Sequence, residues 1–183
     1  MWSQKEEFTS VTNVEYRQFI IEKLLPAIKE KWPSNASDCT IKIQQDNARP
    51  HISPMDVEFR NAVQALDLNV QLVCQPPNSP DMNVLDLGYF NAIQSLQHKA
   101  APRNIDELIS AVYESFEDLH WSKLNYIFLT LQNVMEVCIL HDGRNDFKLP
   151  HMSKRKLENL GQLPMSIKVS EALENKINTL QTP

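Results

Sequence analysis

Residues 39–74, CTIKIQQDNARPHISPMDVEFRNAVQALDLNVQLVC, decide the fold of this chain. The run Cys39–Gln45 alternates β-branched and polar side chains over the length of a strand, and Asn69–Cys74 has the same strand character. Between them, residues 55–66 carry apolar side chains at helical spacing. Strands joined through a helix of this length are most simply parallel, in a right-handed crossover. The stretch therefore predicts a β–α–β unit.

Helical periodicity continues on both sides of this unit. Upstream, residues 11–32 have apolar side chains at three- and four-residue spacing, which predicts a helix that bends at Pro26. Downstream, the same spacing predicts four more helices. The first ends near residue 100 and has Ser79, Asp81 or Asn83 as its cap; the others extend over residues 104–119, 121–140 and, more weakly, 166–180. The predicted fold class is therefore α/β, with a main domain over residues 1–140 and a basic, helical extension over residues 141–183.

Composition and charge exclude several functional classes. The chain has 183 residues and a net charge of −5, which argues against a dedicated nucleic-acid-binding protein, so that any DNA contact must be local. No apolar run approaches the roughly 18 residues that a membrane span needs, so we expect no membrane association. With three glycines there is no Gly-rich phosphate loop. Three widely spaced cysteines, Cys39, Cys74 and Cys138, indicate reduced and buried thiols of an intracellular protein.

Two acids follow the two predicted strands. Asp46 ends the first strand, and Asp86 lies early in the helix after the second. Carboxylates at the carboxyl ends of parallel strands are suited to hold metal ions for phosphoryl transfer. Each acid also has an ordinary explanation, since Asp46 suits a turn and Asp86 suits the third position of a helix capped at Asn83. Asp81 competes for the same role, and spacing alone does not choose among these acids.

The sequence around the two acids resembles the catalytic domain of mariner-like DNA transposases. The matching strings are QDNARPH at residues 45–51 and PPNSPDMNVLDLGYF at residues 76–90. The resemblance is closest to the branch, associated with plants and oomycetes, whose last two catalytic acids are separated by 39 residues, as Asp46 and Asp86 are. It extends over roughly residues 11–164. By these motifs the second catalytic aspartate corresponds to Asp46 and the third to Asp86, while Asp81 is structural.

The resemblance implies a ribonuclease H-like fold with Asp46 and Asp86 as catalytic ligands of Mg²⁺ or Mn²⁺. It also implies a nuclear protein that acts on DNA at transposon ends. Cys39–Gln45 would be the fourth strand of a five-stranded sheet and Asn69–Cys74 the fifth, so the first three strands are missing. No acid upstream of Asp46 lies in a strand-like run, and we therefore expect the first catalytic aspartate to be absent. Two carboxylates under-coordinate a metal pair, so strand transfer should be lost or severely reduced.

Three basic residues are candidate DNA contacts: Arg49, Lys154 and Arg155. A surface arginine that anchors its loop is the alternative for Arg49. For Lys154 and Arg155, which belong to a basic cluster with Lys156, the favoured alternative is a solvated helix start. His51 is expected to be a hydrogen-bonding residue of its loop rather than a metal ligand.

These observations predict a fragment of a mariner-like transposase catalytic domain that is inactive without its first acid. Its expected partners are DNA and either a second copy of the chain or a full-length transposase. One alternative is a non-catalytic, transposon-derived module that binds nucleic acid or protein. Another is an incomplete gene model whose missing upstream exon would restore the enzyme.

Overall fold

The computed structural model describes residues 10–33, 39–144, 146–149 and 151–181. The chain divides into two compact units, Met1–Pro77 and Asn78–Pro183. The described part of the first unit holds a two-stranded parallel sheet and its helices, and that of the second consists of helices and loops. The predicted mixed α/β class is confirmed at this level. The predicted domain boundary at residue 140 stays a prediction.

The sheet has the β–α–β arrangement that the sequence predicted. Strands β1 (Ile41–Gln45) and β2 (Val70–Cys74) are parallel, with Ile41 opposite Val70 and Gln45 opposite Cys74. Between them, helix α3 (Val57–Ala65) begins at Asp56, whose Oδ1 accepts a hydrogen bond from the Phe59 N–H at 3.0 Å. This side-chain cap satisfies a backbone donor that the first turn of a helix leaves unpaired.

The upstream helical segment changes its hydrogen-bonding pattern just ahead of Pro26. Helix α1 (Asn13–Phe19), a π-helical turn (Ile20–Leu24) and helix α2 (Leu25–Lys31) follow one another directly. The Leu25 N–H donates to the Ile20 carbonyl, five residues back. Pro26 has no N–H to continue the α-helical pattern. The structure thus has a π-helical turn where the sequence predicted a bend.

The core of the first unit consists of apolar side chains from its helices, β2 and the loop after β1. Its buried members are Ile20, Leu25, Ile52, Phe59, Val70 and Leu72. Phe59 is 2% exposed and Leu25 is fully buried. Burying an apolar side chain of this size stabilises the fold by about 1.5–3 kcal/mol. The core therefore joins the α1–α2 segment to the β–α–β unit and to the loop that follows Asp46.

The second unit begins with two short turns, a 3₁₀ turn at Pro80–Met82 and a π-helical turn at Leu85–Tyr89. The helices that follow are α4 (Phe90–Ala100), α5 (Ile105–Glu117), α6 (Trp121–Leu140), α7 (Lys154–Asn159) and α8 (Glu171–Gln181). Helix α4 packs on α5, and α6 packs on α8 and on the π-helical turn. Within the described part of the chain, no helix has the length and apolar character needed to cross a membrane.

The predicted burial of the cysteines is wrong. Cys39 and Cys74 are exposed, and Cys138 is partly buried. Cys39 precedes β1 and Cys74 ends β2, at the two ends of a two-stranded sheet that does not enclose them.

Candidate functional site

Asp46 lies in the first unit, directly after β1. The Gln45 carbonyl on one side of it accepts a hydrogen bond from the Gln75 N–H at 2.8 Å. On the other side, the Asn47 Nδ2 donates to the Gln75 carbonyl at 2.9 Å. The backbone around Asp46 is therefore tied to the chain that leaves β2. The Asp46 side chain itself is 45% exposed, so its carboxylate is accessible at the carboxyl end of the strand.

The same carboxylate shapes the turn that follows β1. Asp46 Oδ1 accepts a hydrogen bond from the Ala48 N–H at 2.8 Å, the pattern by which aspartate stabilises a turn two residues on. The His51 N–H then donates to the Ala48 carbonyl at 3.0 Å. The turn explanation of Asp46 is therefore present in the structure. The turn does not prevent a second role, because the Asp46 side chain is 45% exposed and its carboxylate can also reach a ligand.

His51 contacts both the backbone and the side chain of Asp46. Its Nδ1 lies 2.7 Å from the Asp46 carbonyl oxygen and 2.8 Å from Asp46 Oδ1. Both oxygens are acceptors, so Nδ1 carries the ring proton. The imidazole also lies against the Tyr16 ring, with 4.4 Å between the ring centroids. The structure thus gives His51 the hydrogen-bonding role in the loop that the sequence predicted.

Tyr16 on α1 links this loop to the end of β1. Its hydroxyl donates to Gln45 Oε1 at 3.2 Å, and Gln45 Nε2 donates to the Ile52 carbonyl at 2.6 Å. Gln45 is buried, so these hydrogen bonds satisfy an amide that would otherwise be costly to bury. Burial, and secondarily the negative charge of Asp46, raises the pKa of Tyr16. The hydroxyl therefore remains a donor at neutral pH.

An ion pair fixes α1 to the far end of the loop. The Arg17 Nε and Nη2 both donate to Asp56 Oδ2, at 3.0 and 2.8 Å. The Arg17 guanidinium is the main cause that lowers the pKa of Asp56 below its ordinary value. Beside this pair, the Asn13 Nδ2 donates to the His51 carbonyl at 3.0 Å. Sequence reasoning missed Asn13 and Arg17, since no local pattern links them to residues almost 40 positions away.

Asp86 lies in the second unit, in the π-helical turn that precedes α4. Its Oδ2 accepts a hydrogen bond from the Asn83 Nδ2 at 2.9 Å, and Asn83 Oδ1 accepts one from the Leu85 N–H at 3.0 Å. Asn83 therefore caps the turn and Asp86 supports the cap, which is the ordinary explanation that the sequence offered. Asp86 is exposed, and Asp81 belongs to the preceding 3₁₀ turn.

The two acids match the chemistry of the predicted metal ions but are too few for a metal pair. Carboxylate oxygens are the ligands that Mg²⁺ and Mn²⁺ prefer, so Asp46 and Asp86 suit either ion. In the described ranges, no three His, Cys, Asp or Glu side chains are grouped so that they could hold a metal ion. Asp46 and Asp86 also belong to different compact units. Metal binding by these acids therefore stays a prediction.

The three candidate DNA contacts have different surroundings. Arg49 and Arg155 are exposed. Lys154, the first residue of α7, is partly buried; its Nζ donates to the Tyr126 carbonyl at 2.8 Å and to the Thr130 hydroxyl of α6. Burial lowers the pKa of Lys154. The Lys154 ammonium therefore supports the packing of α7 on α6, whereas the two guanidinium groups remain accessible to a ligand.

No protein-family model, curated protein or solved structure matches this chain. The functional assignment therefore depends on the motifs and on the geometry around Asp46 and Asp86.

Proposed function

We propose that this chain is part of a mariner-like transposase catalytic domain with a ribonuclease H-like fold. The order of elements around the two acids carries this proposal. Asp46 directly follows the first strand of a parallel pair, and Asp86 lies in the helical turn after the second strand. The family resemblance implies this order for the second and third catalytic aspartates. The strings that surround both acids support the same assignment.

In this proposal Asp46 and Asp86 hold Mg²⁺ or Mn²⁺ through their carboxylate oxygens. Such ions activate the attacking oxygen and stabilise the leaving oxygen in phosphoryl transfer. A metal pair needs several carboxylates, and the motifs in these 183 residues supply two. We therefore expect a polypeptide of this sequence to bind metal weakly and to lack excision and insertion activity.

The proposed substrate is DNA at transposon ends, in the nucleus. Arg49 supports a local DNA contact, because it is exposed and lies three residues after Asp46. Arg155 offers a second exposed guanidinium. Lys154 is a weaker candidate because α6 already engages its ammonium. The proposed protein partner is a second copy or a full-length transposase.

Calorimetric titration with Mn²⁺ tests the metal assignment. Asp46→Asn keeps an oxygen that can accept the Ala48 N–H, and Asp86→Asn keeps an acceptor for Asn83, so each variant removes charge with little structural change. Asp67→Asn is the matched control, since Asp67 has a φ of 52° and asparagine tolerates that conformation. We expect Asp46→Asn and Asp86→Asn to weaken Mn²⁺ binding about tenfold or more, and the control to leave it unchanged. Identical titrations for all four proteins would overturn the assignment.

A non-catalytic role is favoured by one observation: both acids already have structural partners in a turn and a cap. A transposon-derived module that binds DNA without metal would keep these contacts for stability alone. Binding to duplex DNA should then weaken as salt rises, because contacts to phosphates release counterions. The Asp46→Asn variant distinguishes the two functions. In a metal-dependent catalytic domain it should weaken metal binding, whereas in a module that binds DNA without metal it should leave DNA binding unchanged.

A further inference from the structure

His51 is placed to restrict the Asp46 side chain. An exposed aspartate ordinarily samples several χ1 rotamers. Here Asp46 Oδ1 accepts a hydrogen bond from the Ala48 N–H at 2.8 Å and lies 2.8 Å from His51 Nδ1. The same Nδ1 lies 2.7 Å from the Asp46 carbonyl oxygen. One ring nitrogen therefore joins the backbone and the carboxylate of Asp46, which favours a single orientation of the side chain.

The imidazole is itself held in place by α1. The ring lies against Tyr16, and the His51 carbonyl accepts the Asn13 Nδ2 at 3.0 Å. The His51 side chain is 20% exposed, compared with 45% for Asp46. A ring fixed by packing and by a backbone anchor can orient a neighbouring carboxylate, as supporting residues do around metal ligands.

We propose that His51 is a positioning residue for Asp46: its Nδ1–H presets the carboxylate in the orientation in which it binds a divalent cation. His51 does not bind the cation itself. A carboxylate that is already ordered loses less side-chain freedom when it binds. The part of this proposal that concerns the cation rests on the proposed function, whereas the orienting contact is independent of it.

The contact can be tested without metal, by hydrogen–deuterium exchange of the Ala48 amide in the full chain. Asparagine at position 51 places an amide nitrogen close to the position of Nδ1, while glutamine places it one bond further from the backbone. We expect Ala48 exchange to accelerate several-fold in His51→Gln and His51→Ala, and to remain near wild type in His51→Asn. His98→Gln, at an exposed position on α4, is the control and should change nothing.

Mn²⁺ affinity, measured by electron paramagnetic resonance, tests the consequence for the cation. We expect an affinity loss of about tenfold in His51→Gln and recovery of most of it in His51→Asn. The Asn and Gln variants differ by one methylene, so a comparison of their Mn²⁺ affinities tests the proposal even if His51→Ala does not fold. A purely structural role for the ring would give the two amide variants the same affinity.

The outcomes separate this proposal from the proposed function. Equal Ala48 exchange and equal Mn²⁺ affinity in the Asn and Gln variants would overturn the positioning role, even if Asp46→Asn abolishes metal binding. Faster Ala48 exchange in the Gln variant than in the Asn variant would support the orienting contact. If wild type and Asp46→Asn then bind Mn²⁺ equally, the metal assignment fails while the orienting contact stands.

Discussion

The Asp46 carboxylate combines a turn-forming role with an accessible position. Its Oδ1 takes the hydrogen bond that closes the turn, and the side chain remains 45% exposed. Sequence reasoning left the turn and the metal ligand as alternatives, because both need a short acidic side chain directly after a strand. The structure shows that the turn forms, and a functional role depends on what else the exposed carboxylate binds.

The Arg17–Asp56 ion pair should make stability depend on pH. The folded-state pKa of Asp56 is lowered, chiefly by its hydrogen bonds with Arg17. Its contribution to stability is therefore fully present above the ordinary aspartate pKa of about 3.9, and is lost as pH falls through the lower folded-state value. Asp56→Asn should lose about 1–3 kcal/mol of unfolding free energy at pH 7, and the difference from wild type should shrink below about pH 4.

Urea unfolding from pH 7 to pH 3 would measure this difference. Glu58→Gln is the control, because Glu58 is 70% exposed and lies 3.6 Å from Arg17 Nη1. An exposed pair of this kind contributes under about 1 kcal/mol. A stability difference between wild type and Asp56→Asn that stays constant over the whole pH range would contradict the prediction.

At the scale of elements, the π-helical turn Leu85–Tyr89 packs closely on α6 through a glycine. A Cβ at Gly88 would lie 2.9 Å from Ile127 Cγ1, and Ile127 is 9% exposed. Alanine normally stabilises helical backbone relative to glycine by up to about 1 kcal/mol. We expect Gly88→Ala instead to destabilise the protein by about 1–3 kcal/mol, because this contact would be overpacked.

A double-mutant cycle with Ile127→Ala tests whether the clash is the cause. Removing the Ile127 side chain opens a cavity and should itself cost about 2–5 kcal/mol. In the double variant the alanine methyl group would occupy part of that space. The unfolding free energy lost in the double variant should therefore be smaller than the sum of the losses in the two single variants. Strict additivity in urea unfolding would contradict the proposed contact.

The elements with strong periodicity were predicted closely, and irregular ones were not. The pattern over residues 121–140 predicted α6 with its observed bounds, and Asn104 caps α5 as expected. The strands begin one or two residues later than predicted. The two π-helical turns had no signal in the sequence, since apolar spacing does not distinguish a hydrogen bond to the fifth residue back from one to the fourth.

At the scale of the whole molecule, α5 has an apolar face that is exposed in the described part of the chain. The exposed side chains are Ile105, Leu108, Ile109, Val112, Tyr113 and Phe116, from 37% to 72% exposed. Their three- and four-residue spacing puts them on one side of the helix. The buried residues of α5 are the small Ala111 and Ser115. Exposed apolar surface of this kind is typical of a face that another segment or chain covers.

We therefore expect the 183-residue polypeptide to associate in solution. Replacing Ile109, Tyr113 and Phe116 by glutamine should reduce the associated fraction, because it removes apolar surface while glutamine keeps good helix propensity. Light scattering measures the association, and circular dichroism checks that helix content is kept. A wild-type chain that is monodisperse and monomeric, with cooperative melting, would contradict this expectation.

The sequence by itself determined the β–α–β unit, the main helices and the acids that follow each strand. These features depend on side-chain periodicity and on caps and turns within a few residues, so they can be predicted locally. Only the tertiary structure decided how the loop after Asp46 is held. Tyr16 and Arg17 reach Gln45 and Asp56 across 29 and 39 positions, and no local pattern encodes such contacts. They form because packing of the α1–α2 segment on the shared core brings these polar groups together.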